Sequence, residues 1–162
     1  MPALFAFPNP VNEKAARVVA GVVCAISIAS LATGAYWLLV PLAYGFIARV
    51  ATGPTLSPLG RAASSIVAPR LGPARLVPGP PKRFAQAIGA VLTSTGALCV
   101  LCGASDVVAI VVLALMIIAS GLESLFALCI GCRLFAVLMR AGLIPQAVCE
   151  ECANLNLRGE PA

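Results

Sequence analysis

The chain has 162 residues, of which 60% are hydrophobic and 10% charged, with a mean hydropathy of +1.01 and a net charge of +5. That balance excludes a soluble domain: one core of this length cannot hide so much apolar surface, whereas a bilayer accepts it on every lipid-facing side chain. The sequence has no histidine, which excludes imidazole metal ligation, His-ligated haem and Cys-His or Ser-His nucleophiles.

Met1 to Val11 lacks the basic segment of a cleavable signal peptide, and the first apolar run begins only after Lys14 and Arg17 and is span-length, so the first helix is expected to persist in the mature protein. The reading that follows is an all-α membrane protein of a single domain with four transmembrane helices. The first span runs from about Ala16 to Thr33 and the second from about Tyr36 to Val50, with Pro41 in its first turn or two, where a helix tolerates it. The second span, roughly 15 residues at about 1.5 Å each, reaches only about 22 Å, so its ends must dip below the interface or be covered by a neighbour. Gly34 and Ala35 leave room only for a tight turn between these two spans.

The linker, about Ala51 to Arg83, carries seven prolines from Pro54 to Pro81 and is expected to hold only a short helix over Leu59 to Val67. That helix would be opened by Ser57, with Pro58 in the first helical position, and would lie on the membrane surface. The third span follows from about Phe84 to Gly103 and the fourth from about Val107 to Leu128, separated by a short turn over Gly103 to Asp106. The chain thus reads as two hairpins joined by a linker. All eleven basic residues fall on the N-terminal segment, the linker or the tail, or, for Arg17 and Arg49, at the span ends beside them, and none on the two hairpin turns. With an even number of spans, the positive-inside rule puts these segments in the cytoplasm, N-in and C-in. The net charge then reflects topology and anionic headgroups, with no nucleic acid required.

Seven cysteines are present, six of them in three C-x-x-C pairs. Cys24 reads as core. Cys99 and Cys102 lie about 22 to 27 Å along the third helix from Phe84, near the outer face, either as small apolar packing or as an outer dithiol. Cys129 and Cys132 sit where the fourth span leaves the membrane. If that span continues through them they are at the negative end of its dipole. If Gly131 breaks it, a new amphipathic helix through Leu134, Phe135, Leu138 and Met139, ending near Gly142, places the pair at a helix N-terminus beside Arg133, which favours a thiolate. Glu123, the ionisable residue inside this span, is either a proton relay to the dithiol about 9 Å away or a packed structural carboxyl. In the tail, Glu150 and Glu151 between Cys149 and Cys152 disfavour a thiolate, which points to a resolving dithiol or to metal. The spacing C-x2-C-x16-C-x2-C over Cys129, Cys132, Cys149 and Cys152 also fits a tetrathiolate holding zinc or an iron-sulfur cluster. The cytoplasm is reducing, so permanent structural disulfides are not expected there.

Phe7-Pro8-Asn9-Pro10-Val11-Asn12-Glu13, Pro80-Pro81-Lys82-Arg83-Phe84-Ala85-Gln86 and Phe126-Ala127-Leu128-Cys129-Ile130-Gly131-Cys132 together resemble the bacterial membrane family catalogued as domain of unknown function 4395. The likeness spans nearly the whole chain, and its most specific element is the aromatic-led C-[LI]-G-C that falls on Cys129 and Cys132. Members often neighbour thioredoxin-like and rhodanese-type sulfurtransferase genes, so the resemblance implies thiol or sulfur metabolism at the bacterial inner membrane. Shorter members stop soon after C-[LI]-G-C, which implies that the first pair acts without Cys149 and Cys152. The leading expectation is a thiol-redox or sulfur-relay protein in which Cys129 and Cys132 work with a thioredoxin-like or rhodanese-type partner. Two alternatives stand beside it: a metal-binding membrane protein using the four tail cysteines, and a transporter of small sulfur solutes marked by Glu123 and Pro41. A transporter of four short spans would need a homo-oligomer to enclose a pathway.

Overall fold

Asn12 opens the first long helix. In the computed structural model, which describes residues 7–104 and 106–149, Asn12 is extended and its side chain accepts the Lys14 N–H at 3.1 Å, capping α1 (Glu13–Thr33). Glu13 in the first turn suits the positive end of the helix and pairs with Arg75 at 2.9 Å. Gly34 ends α1 at φ 69°, a left-handed conformation that glycine adopts without penalty. A tight turn over Tyr36–Leu38 then leads into α2 (Leu39–Thr52), with Pro41 in its first turn.

The linker behaves as the sequence predicts at one point and departs from it at two. Ser57 accepts the Gly60 N–H at 3.2 Å and opens α3 (Pro58–Ala62) with Pro58 in the first position, and the chain continues helically, in wider and then tighter turns, to Leu71. Two residues of strand were not expected: β1 (Val11–Asn12) pairs antiparallel with β2 (Leu76–Val77), Val11 opposite Val77 and Asn12 opposite Leu76. Together with Lys14 Nζ donating to the Leu71 carbonyl at 2.7 Å, this pairing pins the linker to the start of α1. The second departure is α4 (Gly79–Leu101), which starts five residues before the predicted Phe84. Pro80 and Pro81 fall in its first turn, where their missing N–H groups are orphans in any helix.

After Cys102 and Gly103 the chain reverses into α5 (Asp106–Phe126), and a second break precedes α6 (Ile130–Arg140). Among the described residues, α1, α4 and α5 are long and apolar enough to cross a bilayer, and the segment Tyr36–Thr52 is a shorter apolar helix. Only 33%, 22% and 28% of the three long hydrophobic windows is buried within the protein, so most of their apolar side chains face outward, onto a surface that lipid solvates and water does not.

The packing runs mainly between the two expected hairpins. Helices consecutive in sequence are not the principal partners: α1 lies chiefly against α5, and α2 against α4, with α4 also touching α5 and α6. The two halves of the chain therefore interlock around a core that includes Val23, Leu39, Phe46, Val112, Leu113 and Met116. Close approach relies on small residues, as expected where lipid supplies no hydrophobic drive between helices. A Cβ added to Gly131 on α6 would lie 2.5 Å from Ala85 Cβ and 2.6 Å from Ala85 Cα on α4. Gly131 is therefore not the helix breaker the sequence suggested, and its lack of a side chain lets α6 lie against α4. Phe84 and Phe135 close the same interface with ring centroids 5.6 Å apart.

Gly131→Ala is expected to cost about 1–3 kcal/mol by forcing α6 away from α4, and Ala85→Gly should recover only part of this because the Ala85 Cα is itself in the way. Unfolding of the single and double variants in micelles, followed by circular dichroism, measures both effects. A neutral Gly131→Ala change would contradict the packing.

Candidate functional site

The site is built around the end of α5. Its last carbonyls have no helical donors, and Arg17 of α1 supplies them: Nε and Nη2 donate to the Ser124 carbonyl at 3.1 and 2.9 Å, and Nη2 to that of Leu125 at 3.2 Å. Ala127 then takes a left-handed backbone at φ 56°, unusual for a residue with a Cβ. The Leu128 N–H turns back to the Leu122 carbonyl at 3.1 Å. The predicted fourth span thus ends at Phe126, two residues early, and the break lies at Ala127.

Cys129 begins the next helix. It is extended, at φ −86° and ψ 106°, and its Sγ accepts the Cys132 N–H at 3.4 Å, so the sulfur itself is the N-cap of α6. Of the two arrangements open from the sequence, the structure adopts the one in which the dithiol stands at a helix N-terminus, where the backbone N–H groups and the macrodipole favour negative charge. Cys129 is buried at 8% exposure and Cys132 is half-buried; both are free thiols. A hydrogen bond from the Cys132 side chain holds the Cys129 thiol below the ordinary thiol range. Burial and the Glu123 charge oppose that shift, and the Lys82 charge assists it. Cys132 is pushed upward, first because it is the donor of that bond and then by burial. The pair is therefore asymmetric, with Cys129 the thiol that ionises more readily and Cys132 the one that holds its proton more tightly.

The cation that acts on Cys129 is Lys82 of α4. The expected neighbour Arg133 is exposed on α6. Lys82 Nζ lies 2.5 Å from Glu123 Oε1, with side-chain exposures of 9% and 14%. Glu123 is half of a buried ion pair with Lys82. It also sits in the last turn of α5, three residues before Phe126, where a carboxylate opposes the helix dipole and needs this compensation. Farther along the same wall, Arg49 at the end of α2 donates from Nε to Gln86 Oε1 at 2.7 Å and from Nη1 to Ser57 Oγ at 3.3 Å. Sequence reasoning treated Lys82 and Arg49 as topology charges and did not single out Gln86. The available signal was Glu123 itself, since a carboxylate in an apolar helix requires a cation within reach.

The other candidates lie elsewhere. Cys102 is exposed at the far end of α4 and Cys99 is half-buried one turn earlier. Along that helix Cys102 is 17 residues from Ala85, the residue against Gly131, or roughly 25 Å. The packing reading holds better for Cys99 than for Cys102, and the two C-x-x-C pairs occupy opposite ends of the bundle. Cys24 is half-buried, with its thiol 3.7 Å from the Ile117 carbonyl, between α1 and α5. Pro41 is exposed. The backbone of Cys149 closes a short turn, Gln146–Cys149; its side chain and all of Cys152 lie outside the described residues, as does the expected four-sulfur zinc or iron-sulfur arrangement. Among the described residues no group of three or more Cys, Asp or Glu is placed to hold a metal ion.

The chain belongs to the family described as domain of unknown function DUF4395, whose model matches residues 11–140. The matched stretch ends with α6, so it contains Cys129, Cys132, Lys82 and Glu123 but not the tail pair. No curated protein and no solved structure matches the chain.

Removing one member of the buried ion pair, by Lys82→Met or Glu123→Leu, should destabilise the fold by about 3–5 kcal/mol, and the double change should restore most of the loss because no uncompensated charge remains. A double-mutant cycle in detergent would reveal additive losses if the two groups did not interact. In mapped alkylation with iodoacetamide, labelling of Cys129 should rise with pH through a midpoint below the ordinary thiol value, since the charged form is favoured. Lys82→Met should move that midpoint upward, and Cys132 should stay unlabelled across the range. A pair that titrates symmetrically would refute the assigned roles.

Proposed function

We propose that this family member is a multi-pass protein of the bacterial inner membrane that exchanges electrons or sulfur with a cytoplasmic thioredoxin-like or rhodanese-type protein through Cys129 and Cys132. The topology invoked has four spans with both termini inside. Support for it comes from the gathering of Lys14, Arg17, Arg49, Arg75, Lys82 and Arg83 around the end of the bundle where α1 and α4 begin. The opposite turns carry no Lys or Arg, an asymmetry that reads as cytoplasm on the basic side.

The observation that carries the activity is Cys129 as N-cap of α6, its sulfur accepting a backbone N–H while the Cys132 thiol hydrogen-bonds to it beside Lys82. A low-pKa thiolate next to a protonated thiol is the arrangement that disulfide exchange needs. The Cys129 thiolate attacks a partner disulfide, forming an S–S bond to one partner sulfur while the other leaves as a thiolate. Cys132 then gives up its proton and attacks Cys129 Sγ. The products are a Cys129–Cys132 disulfide and a partner reduced by two electrons, its second sulfur taking up a proton. In the sulfur-relay version, Cys129 attacks the outer sulfur of a partner persulfide, carries the persulfide itself and releases the partner thiol. Cys149 and Cys152 serve as the second, resolving dithiol.

Cys132→Ser should trap the first covalent intermediate on Cys129, seen as a mixed disulfide or persulfide in cells or with added oxidised thioredoxin, and Cys129→Ser should abolish it. If Cys132→Ser yields no adduct under either condition, the proposal fails. Trapping that moves to Cys149 or Cys152 would reverse the order assigned to the two pairs.

A further inference from the structure

Arg49 is only 7% exposed, yet no carboxylate lies within ion-pairing distance of it among the described residues, since Glu123 is engaged by Lys82 and Glu13 by Arg75. Its Nε and Nη1 are occupied by Gln86 and Ser57, its guanidinium lies 4.5 Å from the centre of the Phe46 ring, and Nη2 has no acceptor among those residues. Glu123 acts on Arg49 only from beyond ion-pairing range and is itself held by Lys82, so among the described residues the buried guanidinium lacks a charge partner of its own, a costly state that a bound anion would relieve. The geometry provides the room. Arg49, Lys82 and Gln86 form the polar wall of a cavity of about 210 Å³, closed on the apolar side by Phe7, Val11 and Val19 among others. With Lys82 balanced by Glu123 behind it, Arg49 leaves this wall one unmatched positive charge. Apart from Asn12 and Ser64, the remainder of the lining suits hydrocarbon, and a purely inorganic anion would leave that part unfilled.

We propose that this cavity binds a small organic anion, its acidic group on Arg49 and its apolar body against the Phe7 side. An apolar cavity of about 150 Å³ accommodates benzene, so the occupant is an acid with a body of about a benzene ring or a short alkyl chain. The same chemistry is offered by a free acid and by the acidic end of a membrane lipid. Binding there does not depend on Cys129 or Cys132, and it is expected to persist in Cys129→Ser.

The test uses the purified full-length chain in a neutral detergent, with benzoate as probe. Saturable binding of benzoate in the low millimolar range or tighter is expected, at least tenfold stronger than that of the neutral isostere benzamide and at least tenfold stronger than that of sulfate. Arg49→Gln should weaken it at least tenfold. Ser64→Trp, which fills the cavity from an exposed wall position, should block it without disturbing the buried polar cluster. Competition by hexanoate but not by added phosphatidylglycerol assigns a free acid as the occupant. Displacement by phosphatidylglycerol assigns a lipid. The proposal is overturned if benzoate shows no saturable binding, if benzamide binds as well as benzoate, if sulfate does, or if binding survives Ser64→Trp.

Discussion

The Lys82–Glu123 ion pair joins the α2–α4 helix pair to the α1–α5 helix pair. It ties the first turn of α4 to the last turn of α5, and α4 and α5 are in turn the main partners of α2 and α1. An ion pair at 2.5 Å with little exposure is a weak source of net stability but a strong constraint, because any arrangement that separates the two leaves an unpaired charge in an apolar setting. That constraint fixes the register of α4 against α5. Through Gly131 and Ala85 it also sets where α6 can lie, and so where Cys129 stands relative to a cation.

Charge is confined in the same way across the basic end. Arg17 caps α5, Arg75 meets Glu13, Arg83 donates to the Val50 carbonyl at 3.0 Å, and Lys14 holds Leu71. Each of these four cations is engaged by backbone or carboxylate, which is how helix termini and charges are accommodated near a bilayer. Buried Arg49 differs from them, with amide and hydroxyl partners that bring no compensating charge.

Much of this was legible in the sequence, and the parts that were not share a cause. The Asn12 to Gly34 helix, the Ser57 cap with Pro58, and the break before a separate amphipathic α6 follow from local rules, because cap residues, prolines and apolar runs act within a few positions of themselves. The interlocked packing of α1 with α5 and α2 with α4, the Val11–Val77 pairing and the Lys82–Glu123 contact join residues far apart in the chain, and no local pattern encodes such partners. The misreading of Gly131 illustrates the difference. In sequence a glycine after Ile130 looks like a breaker, whereas its actual role is set by Ala85, 46 positions earlier. The break is taken by Ala127, a residue with no sequence signal for a left-handed backbone, held there because Arg17 terminates the helix before it.

The dithiol is linked electrostatically to its surroundings. The Cys132 hydrogen bond and the Lys82 charge favour the Cys129 thiolate, against burial and the Glu123 charge, and both supports are lost when that sulfur is in a disulfide. On the proposed reading, the surroundings therefore stabilise the reduced pair, as does the position of Cys129 at the N-terminus of α6. Stabilising the reduced form makes the corresponding disulfide a stronger oxidant. The exchange would thus run more readily from a Cys129–Cys132 disulfide to a partner dithiol than in the opposite direction, through the same mixed disulfide on Cys129 in either case. The Arg49 cavity stands apart from this balance, since the groups that act on Cys129 are Cys132, Lys82 and Glu123, and neither cysteine lines the cavity.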